Sequence, residues 1–395
     1  MAPKKERPRL WLVDGTSNIF RAYYALRGGF TTRDGLPTNA VYGFTTMLHK
    51  LIREEEPEYL GVCFDRGEPT FRHEEYPDYK ANRPEPPDDL IPQFPLVQEV
   101  TAAYNIPVLD REGWEADDLI GTLARQAVEA GFDVVIVASD KDLFQLVNDH
   151  VTIMNPHKRN LMMDAGTVKE IFGVRPDQVI DVLALMGDAS DNIPGVPGIG
   201  EKGAKQLLKQ YDDLENLIAH ADEVKRKSYR ESLKANERLA HLSRRLATVR
   251  LDAPVEFDPE TMRLTEPDVP RLRELFARLE FNTLLKELRP DAETRSARYR
   301  AVATVKELKD FLATVREAGR LSVDLETTGV DPMRAEILGI ALCVQAGEAI
   351  YVPVRHQEGV TRQLSPETAL KLLKPVLEKK GVAKIGQNAK YEYVI

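Results

Sequence analysis

Short apolar runs alternate with amphipathic helical patterns over the first part of the chain. The runs at 10–13, 59–64 and 134–138 have the length and composition of buried strands. A helical pattern begins near Glu115, with apolar residues at intervals of three and four. Because strands that alternate with helices pack as parallel sheets, this pattern predicts an α/β core with a mostly parallel sheet over residues 1–175.

The pattern changes after this core. Residues 176–288 are mainly helical in pattern and predict a separate helical subdomain, whose last helix spans about 270–288. The polar stretch 289–300 predicts a linker. A second α/β pattern occupies 301–395 and includes a strand at 321–323. We therefore expect a second, smaller α/β domain after the helical subdomain.

One segment of the core region is unlike the rest. Residues 68–95 are polar and rich in proline and tyrosine, with few apolar side chains. A segment of this length without secondary structure is unusual in a compact domain and is often functional. We therefore expect 68–95 to be a mobile, functional loop.

Carboxylates stand at the ends of the apolar runs in the first half of the chain. The carboxyl ends of parallel strands meet at one edge of a sheet, so these groups would gather there. Crowded anions repel one another unless cations lie among them, and all-oxygen sites suit Mg²⁺ or Mn²⁺. Taken one at a time, each acid could equally have a structural role, as a helix cap or in a turn. Their occurrence together favours a metal site. The nine residues are Asp14, Asp65, Glu115, Asp117, Asp118, Asp140, Asp142, Asp188 and Asp191.

Charge and composition modify this interpretation. A net charge of −9 and a pI near 5.5 argue, taken alone, against nucleic-acid binding. Many of the acids belong to the candidate metal cluster, however, while bases cluster at 225–230 and 244–245, where a solvated helix face is the alternative. Two distant cysteines, Cys63 and Cys343, fit no metal pattern and indicate a reducing cytosol. The sequence predicts neither a membrane span nor a signal peptide.

Seven motifs follow one another between residues 10 and 205. This ordered set resembles the N-terminal part of the bacterial DNA polymerase I family, whose first domain is a PIN-like 5′ nuclease of the flap-endonuclease family. The similarity continues to about residue 290. The motifs are Leu12-Val13-Asp14-Gly15, Arg21-Ala22-Tyr23-Tyr24-Ala25-Leu26, Val62-Cys63-Phe64-Asp65, Tyr79-Lys80-Ala81-Asn82-Arg83, Glu115-Ala116-Asp117-Asp118, Ser139-Asp140-Lys141-Asp142 and the stretch 186–200.

The resemblance implies two divalent cations, Mg²⁺ or Mn²⁺, held together in one acidic site. The chemistry that such a pair supplies is the activation of a water and the stabilisation of a leaving oxygen. Asp118 is not assigned to either cation. The residues implied nearest the first cation are Asp14, Asp65, Glu115, Asp117 and Asp140, and those at the second are Asp142, Asp188 and Asp191.

The resemblance also identifies 68–95 as the arch of the family, through or under which a 5′ single strand passes. It implies that Lys80 stabilises the charge on the scissile phosphate. It further implies that Arg83 and Arg21 contact phosphates and that Tyr79 stacks on a base. For Tyr76, a solvated position in the loop is the preferred interpretation.

A glycine-rich turn followed by lysines resembles a helix–hairpin–helix motif. The glycines, Gly195, Gly198 and Gly200, permit close approach of the backbone to a phosphate at the start of the next helix. Lys202 and Lys205 are suitable phosphate partners. The motif indicates DNA binding without sequence preference, and the resemblance implies a K⁺ ion at the hairpin.

The second α/β region carries weaker signals. Asp324 and Glu326 are two apart in a predicted strand, so they face the same side, and they resemble the first motif of a 3′–5′ proofreading exonuclease. Glu392 stands where that family has Asp. Because the chain ends at Ile395, before the third motif, we expect an incomplete ribonuclease-H-like domain that is unstable alone or inactive.

Together these features predict a structure-specific 5′–3′ exonuclease and flap endonuclease that lacks a polymerase domain. It would act on 5′ flaps, nicks and RNA primers in replication and repair, as a monomer in the bacterial cytoplasm at the nucleoid. Three alternatives stay open. The intact acids argue against a non-catalytic junction-binding module, the missing motif against a 3′–5′ exonuclease, and the arch and hairpin against a PIN-like ribonuclease.

Overall fold

A computed structural model describes most of the chain. The described residues divide after residue 288 into two compact units. Of the predicted linker, 289–297 lies outside the described residues, whereas 298–300 belongs to a strand. No helix of the described part is both long and apolar enough to cross a membrane. The described residues are 7–26, 28, 30–288, 298–329, 331–345, 347–357, 362–386 and 389–395.

The first unit is built on a six-stranded sheet in the order β3-β2-β1-β4-β5-β6. All neighbouring strands pair in parallel except β5 and β6, which are antiparallel. The mostly parallel sheet is therefore confirmed, and the β5–β6 hairpin adds an edge that the sequence did not predict. The strands are β1 (Arg9–Asp14), β2 (Tyr59–Cys63), β3 (Val108–Leu109), β4 (Asp133–Val137), β5 (Val151–Asn155) and β6 (Leu161–Met163).

In the described part of the first unit, fourteen α-helices surround this sheet or form the region that follows it. Three short 3₁₀ helices lie at Asp142–Leu146, Pro176–Gln178 and Ala221–Glu223. The α-helices are α1 (Gly15–Ala25), α2 (Asn39–Glu55), α3 (Phe71–Glu75), α4 (Gln93–Ala103), α5 (Ala116–Glu129), α6 (Ala165–Phe172), α7 (Val179–Met186), α8 (Glu201–Tyr211), α9 (Leu214–Ala219), α10 (Lys227–Ala235), α11 (Glu237–Ala247), α12 (Pro259–Met262), α13 (Val269–Arg278) and α14 (Asn282–Glu287).

Alternate residues of the strands supply two cores, one on each face of the sheet. Leu10 and Leu12 of β1 belong to the core that includes α5 and α7. Trp11 and Val13 belong to the opposite core, which includes α2, α4 and α13. Both faces of the sheet are therefore covered, which is typical of parallel sheets.

The single helix predicted over about 270–288 is wrong in detail. It is divided into α13 and α14 by a turn in which Glu280 has a positive φ of 58°. Phe281 is buried in the turn and its ring lies 5.1 Å from that of Tyr42. Packing of Phe281 against the core therefore overrides the helical periodicity of the sequence.

Segment 68–95 is more firmly anchored than its polar composition suggests. It contains α3 and several turns, and α4 begins at Gln93 within it. Several of its side chains are almost completely buried, among them the three residues Arg72, Tyr79 and Leu90. The segment therefore differs from the mobile loop that we expected, because these three residues tie it to the core.

The second unit has its own core and a five-stranded sheet in the order β11-β8-β9-β10-β7. The predicted strand at 321–323 lies inside the longer β8. Described residues of this unit leave several large apolar side chains exposed, among them Tyr299, Met333 and Tyr393. The elements are β7 (Arg298–Ala301), α15 (Val305–Ala318), β8 (Arg320–Thr327), β9 (Ile337–Gln345), β10 (Glu348–Pro353), α16 (Pro366–Leu377), β11 (Ala383–Ile385) and α17 (Ala389–Val394).

Candidate active site

The carboxylates of the first unit gather at the carboxyl edge of the sheet, where the sequence predicted them. Asp14 is the last residue of β1, and Asp65 follows β2 by two residues. Asp140 follows β4, and Glu115 caps the start of α5. The edge is shared because β2, β1 and β4 are adjacent and parallel.

These side chains line a cavity of about 660 Å³. The basic residues predicted to contact phosphates line the same cavity, so anionic and cationic groups face one space. Of the nine predicted acids, Asp118 and Asp188 are absent from its lining. The lining acids are Asp14, Asp65, Glu115, Asp117, Asp140, Asp142 and Asp191, and the lining bases are Arg21, Lys80 and Arg83.

The carboxylates of the cavity are buried and close together, which disfavours their charged forms. Burial, followed by repulsion from Asp65 and Asp140, raises the pKa of Asp14 to about 7. Burial and the neighbouring Asp140 raise the pKa of Asp142 to about 8. Burial and Asp14 likewise raise the pKa of Asp117. Cations bound among these groups would relieve both the burial cost and the repulsion.

Backbone amides fix one oxygen of several carboxylates. Ser17 donates its N–H to Asp14 Oδ1 at 2.9 Å, which caps α1. Ala116 donates its N–H to Asp65 Oδ1 at 2.7 Å, at the start of α5. The N–H of Asp142 donates to Asp140 Oδ1 at 3.0 Å. These bonds orient the carboxylates before any ligand is present.

Two lysines pair with acids of the predicted set. Lys80 Nζ lies 2.6 Å from Glu115 Oε1 and 3.8 Å from Asp191 Oδ2. Lys141 Nζ lies 2.5 Å from Asp188 Oδ2 and 3.7 Å from Asp142 Oδ1. Lys141 was not among the predicted site residues, although its place between Asp140 and Asp142 was a usable signal.

The donor set fits hard divalent cations, since it consists of carboxylate oxygens alone. Asp142 Oδ1 is buried and finds no hydrogen-bond partner among the described residues, so an acceptor is available to a cation. Within the same residues, no three His, Cys, Asp or Glu side chains are arranged as a group that could hold a metal ion. Lys80 and Lys141 are paired with four of the acids instead.

Asp118 is a correction to the predicted metal ligands. It is fully buried and is not part of the cavity lining. Arg72 donates to both of its oxygens, at 2.7 and 2.8 Å, and the N–H of Arg250 donates to Oδ1 at 2.8 Å. With its acceptors engaged in this way, Asp118 anchors the start of α5 to segment 68–95.

Tyr79 is a second correction. The ring is only 3% exposed, so it cannot stack on a base in this conformation. Its hydroxyl lies 3.0 Å from Asp191 Oδ2 and 3.2 Å from Glu115 Oε2. Tyr79 therefore orients two acids of the cavity. Tyr76, for which a solvated position was preferred, is half-buried and packs against the core.

In the glycine-rich turn between α7 and α8, two segments of the backbone approach each other closely. Gly195 has a φ of +64°, and a Cβ atom there would lie 2.3 Å from the amide nitrogen of Gly187. Gly198 also has a positive φ, 83°, and Gly200 caps α8. The glycines at 187 and 195 are therefore required by the fold of the hairpin itself.

The two hairpin lysines differ in their surroundings. Lys202 is exposed at the start of α8. Lys205 pairs with Glu201, and its Nζ lies 4.3 Å from the centre of the Phe172 ring. Lys202 is therefore the freer phosphate partner of the two.

The acids predicted in the second unit are not assembled into a site. Asp324 and Glu326 lie two residues apart on β8, the spacing that predicted a common face, and both are exposed. Glu392 lies in α17. Among the described residues, these three do not form a group that could hold a metal ion. Residues 387 and 388 of the neighbouring motif lie outside the described part of the chain.

Three family models match successive parts of the chain. Residues 9–173 match the model of the 5′–3′ exonuclease N-terminal resolvase-like domain, and 174–270 match that of the 5′–3′ exonuclease C-terminal SAM fold. Residues 299–394 match the 3′–5′ exonuclease model. The two models that match the first unit are both those of 5′–3′ exonuclease domains. The chain belongs to the 5′–3′ exonuclease family, whose two domain models together match residues 9–270.

Curated relatives named DNA polymerase I match nearly all of the chain. That of Rhizobium leguminosarum is 35% identical, covering 100% of this chain and 49% of its own length. That of Pseudomonas aeruginosa is 40% identical, covering 97% of this chain and 44% of its own length. The chain therefore spans about half the length of the curated relatives it matches.

Two solved structures share the fold of the first unit. The T5 5′-exonuclease with bound zinc is 22% identical, with a TM-score of 0.52 over 70% of this chain and 98% of its own. The catalytic core of Rad2 in complex with a DNA substrate is 19% identical, with a TM-score of 0.50 over 72% of this chain and 93% of its own. These likenesses confirm the predicted PIN-like 5′ nuclease fold.

Proposed function

We propose that the chain is a structure-specific 5′–3′ exonuclease and flap endonuclease, which hydrolyses phosphodiesters of DNA and of RNA primers at junctions of single strand and duplex. One observation carries this proposal. Seven carboxylates from separate strands and helices line one cavity together with Arg21, Lys80 and Arg83. Acids that hold cations and bases that meet phosphates are the two requirements of phosphoryl transfer.

We propose two bound cations, Mg²⁺ or Mn²⁺. Such a pair lowers the pKa of a water and stabilises a leaving 3′ oxygen. Asp118 is excluded from the donor set because Arg72 and Arg250 occupy its oxygens. The first cation would be held by Asp14, Asp65, Glu115, Asp117 and Asp140, and the second by Asp142, Asp188 and Asp191.

The bases of the cavity act on the substrate phosphate. The ammonium of Lys80 and the guanidinium of Arg83 lie on one wall, and Arg21 of α1 also borders the cavity. The N–H of Lys80 donates to the carbonyl of Asp191 at 2.9 Å, which fixes this wall relative to the acids. Lys80 would stabilise the charge that develops on the scissile phosphate, and the arginines would orient the strand.

We propose DNA with a 5′ flap, a nick or an RNA primer as the partner. The hairpin between α7 and α8 would bind the duplex through backbone N–H groups and through Lys202 and Lys205, with a K⁺ ion at the turn. We further propose that the protein acts in replication and repair, as a monomer in the bacterial cytoplasm at the nucleoid.

Asp142→Asn tests whether the acids are catalytic. We expect flap cleavage to fall by at least about 100-fold, because one carboxylate of the second cation is lost. Binding to the same flap DNA should be retained, since less negative charge faces the phosphates. Gel-based cleavage and fluorescence-anisotropy binding on one labelled substrate measure both quantities.

The matched control is Asp222→Asn, which removes an exposed acid paired with Lys234 in the helical region. It should cleave at the wild-type rate. Binding without cleavage by the wild type as well as by the variant would instead support the junction-binding module.

A further inference from the structure

Lys141 pairs with two of the acids that are assigned to the second cation. In the sequence it stands between Asp140 and Asp142, and in the structure its ammonium lies between Asp142 and Asp188. The distances are 3.7 Å to Asp142 Oδ1 and 2.5 Å to Asp188 Oδ2. The Asp188 and Asp142 side chains are 6% and 15% exposed, so few water molecules can screen them.

Lys141 forms a hydrogen bond with only one of these two acids. Asp188 accepts from Lys141, and its other oxygen accepts from the N–H of Ser190 at 2.8 Å. Asp142 Oδ1 finds no hydrogen-bond partner among the described residues. The ammonium therefore satisfies Asp188 and leaves Asp142 with an acceptor that only a closer cation would use.

We propose that Lys141 is an internal counter-ion, which a divalent cation must displace from Asp188 in order to bind between Asp142 and Asp188. This inference rests on the proposed function. The Lys141 side chain is 35% exposed, so its ammonium has a route to solvent. An ammonium and a divalent cation repel each other and compete for the same oxygen, so they do not share this position.

The competition has a consequence for the metal-free protein. Without a positive charge, Asp142 and Asp188 would repel each other across a poorly hydrated space. Lys141 therefore keeps the acids together before cations arrive, and it lowers the affinity of the second cation. Lys80 pairs with Glu115, which is assigned to the first cation, and with Asp191, so it touches neither Asp142 nor Asp188.

A titration with Mn²⁺ alone tests the competition without measuring activity. Electron paramagnetic resonance of free Mn²⁺ gives the number of ions bound and their affinities for wild type, Lys141→Met, Lys141→Arg and Lys234→Met. We expect the weaker of two sites to bind about tenfold tighter in Lys141→Met, because a charge-assisted hydrogen bond no longer has to be broken. Lys141→Arg keeps the charge and should bind as the wild type does.

Lys234→Met is the matched control, because Lys234 donates to Asp222 at 2.6 Å far along the chain from the cavity. It should leave both affinities unchanged. Equal or weaker Mn²⁺ binding by Lys141→Met overturns the inference while the proposed function stands. No Mn²⁺ binding by the wild type overturns both.

A second measurement uses the wild-type chain, so it decides the matter even where Lys141→Met fails to fold. Acetylation of lysines, followed by mass spectrometry, is compared in Mg²⁺ and in EDTA. We expect Mg²⁺ to increase the labelling of Lys141 several-fold, since the released amine is accessible, and to leave Lys234 unchanged. Labelling of Lys141 that does not respond to Mg²⁺ overturns the inference.

Discussion

Lys80→Met is expected to slow flap cleavage by about 100- to 1,000-fold while changing the affinity for flap DNA only a few-fold. The ammonium lies inside the acidic cavity, 2.6 Å from Glu115 Oε1, and its side chain is 20% exposed. A positive charge held in so dry a position stabilises charge on the reacting phosphate far more than one in water does. The loss should therefore fall on kcat rather than on KM.

The measurement is single-turnover cleavage of a labelled 5′-flap duplex at saturating enzyme. Lys80→Arg keeps the charge and should recover part of the rate. Lys374→Met is the matched control, because Lys374 is an exposed lysine with an acidic partner in the second unit. A rate for Lys80→Met within threefold of the wild-type rate would contradict a role for this lysine in the reaction.

Arg72→Met is expected to destabilise the first unit by about 3–5 kcal/mol, because it leaves Asp118 as an uncompensated buried charge. The two side chains are 3% and 0% exposed. Arg72 also donates to the carbonyls of Leu246 and Thr248 at 2.9 Å each, so one guanidinium joins α3, α5 and the end of α11. Cleavage should fall as well, since Glu115 and Asp117 lie in the same first turn as Asp118.

Urea unfolding followed by tryptophan fluorescence measures this cost. Both tryptophans of the chain, Trp11 and Trp114, lie in the first unit, so the signal reports that unit alone. The double variant Arg72→Met/Asp118→Leu should recover much of the loss, because no unpaired charge stays buried.

Arg175→Met is the matched control, since Arg175 makes exposed ion pairs with Asp177 and Asp212. It should cost no more than about 1 kcal/mol. An Arg72→Met variant as stable as this control would show that the buried pair does not hold the first unit together.

The strand ends explain why much of the site was predictable. Asp14, Asp65 and Asp140 each follow an apolar run. Parallel pairing of β2, β1 and β4 brings the ends of these runs to one edge of the sheet, independently of the conformation of the loops. Glu115 was predictable as a helix start for the same reason. Local patterns and strand direction were sufficient for these four.

The roles of neighbouring acids were not predictable, because they depend on tertiary partners. Asp117 and Asp118 are adjacent and chemically identical, yet about 100° of helix rotation separates them. Asp117 faces the cavity, whereas Asp118 faces Arg72, a residue 46 positions earlier. No local signal marks Arg72 as the buried partner, because it stands in a polar segment.

The role of Tyr79 also depends on tertiary packing that the local sequence does not show. A tyrosine beside Lys80 in a polar segment fits an exposed stacking position, and only the packing of segment 68–95 against the core buries its ring. Likewise, the break between α13 and α14 follows from the burial of Phe281, not from any proline or glycine in the sequence.

Cleavage of a duplex with a 5′ flap, labelled separately at its 5′ and 3′ ends, tests the central claim most directly. In Mg²⁺, the acidic cavity predicts short products that carry the 5′ label, and EDTA should abolish them. Shortening from the 3′ end alone would contradict this account, because it would assign the activity to the second unit and not to the acidic cavity of the first.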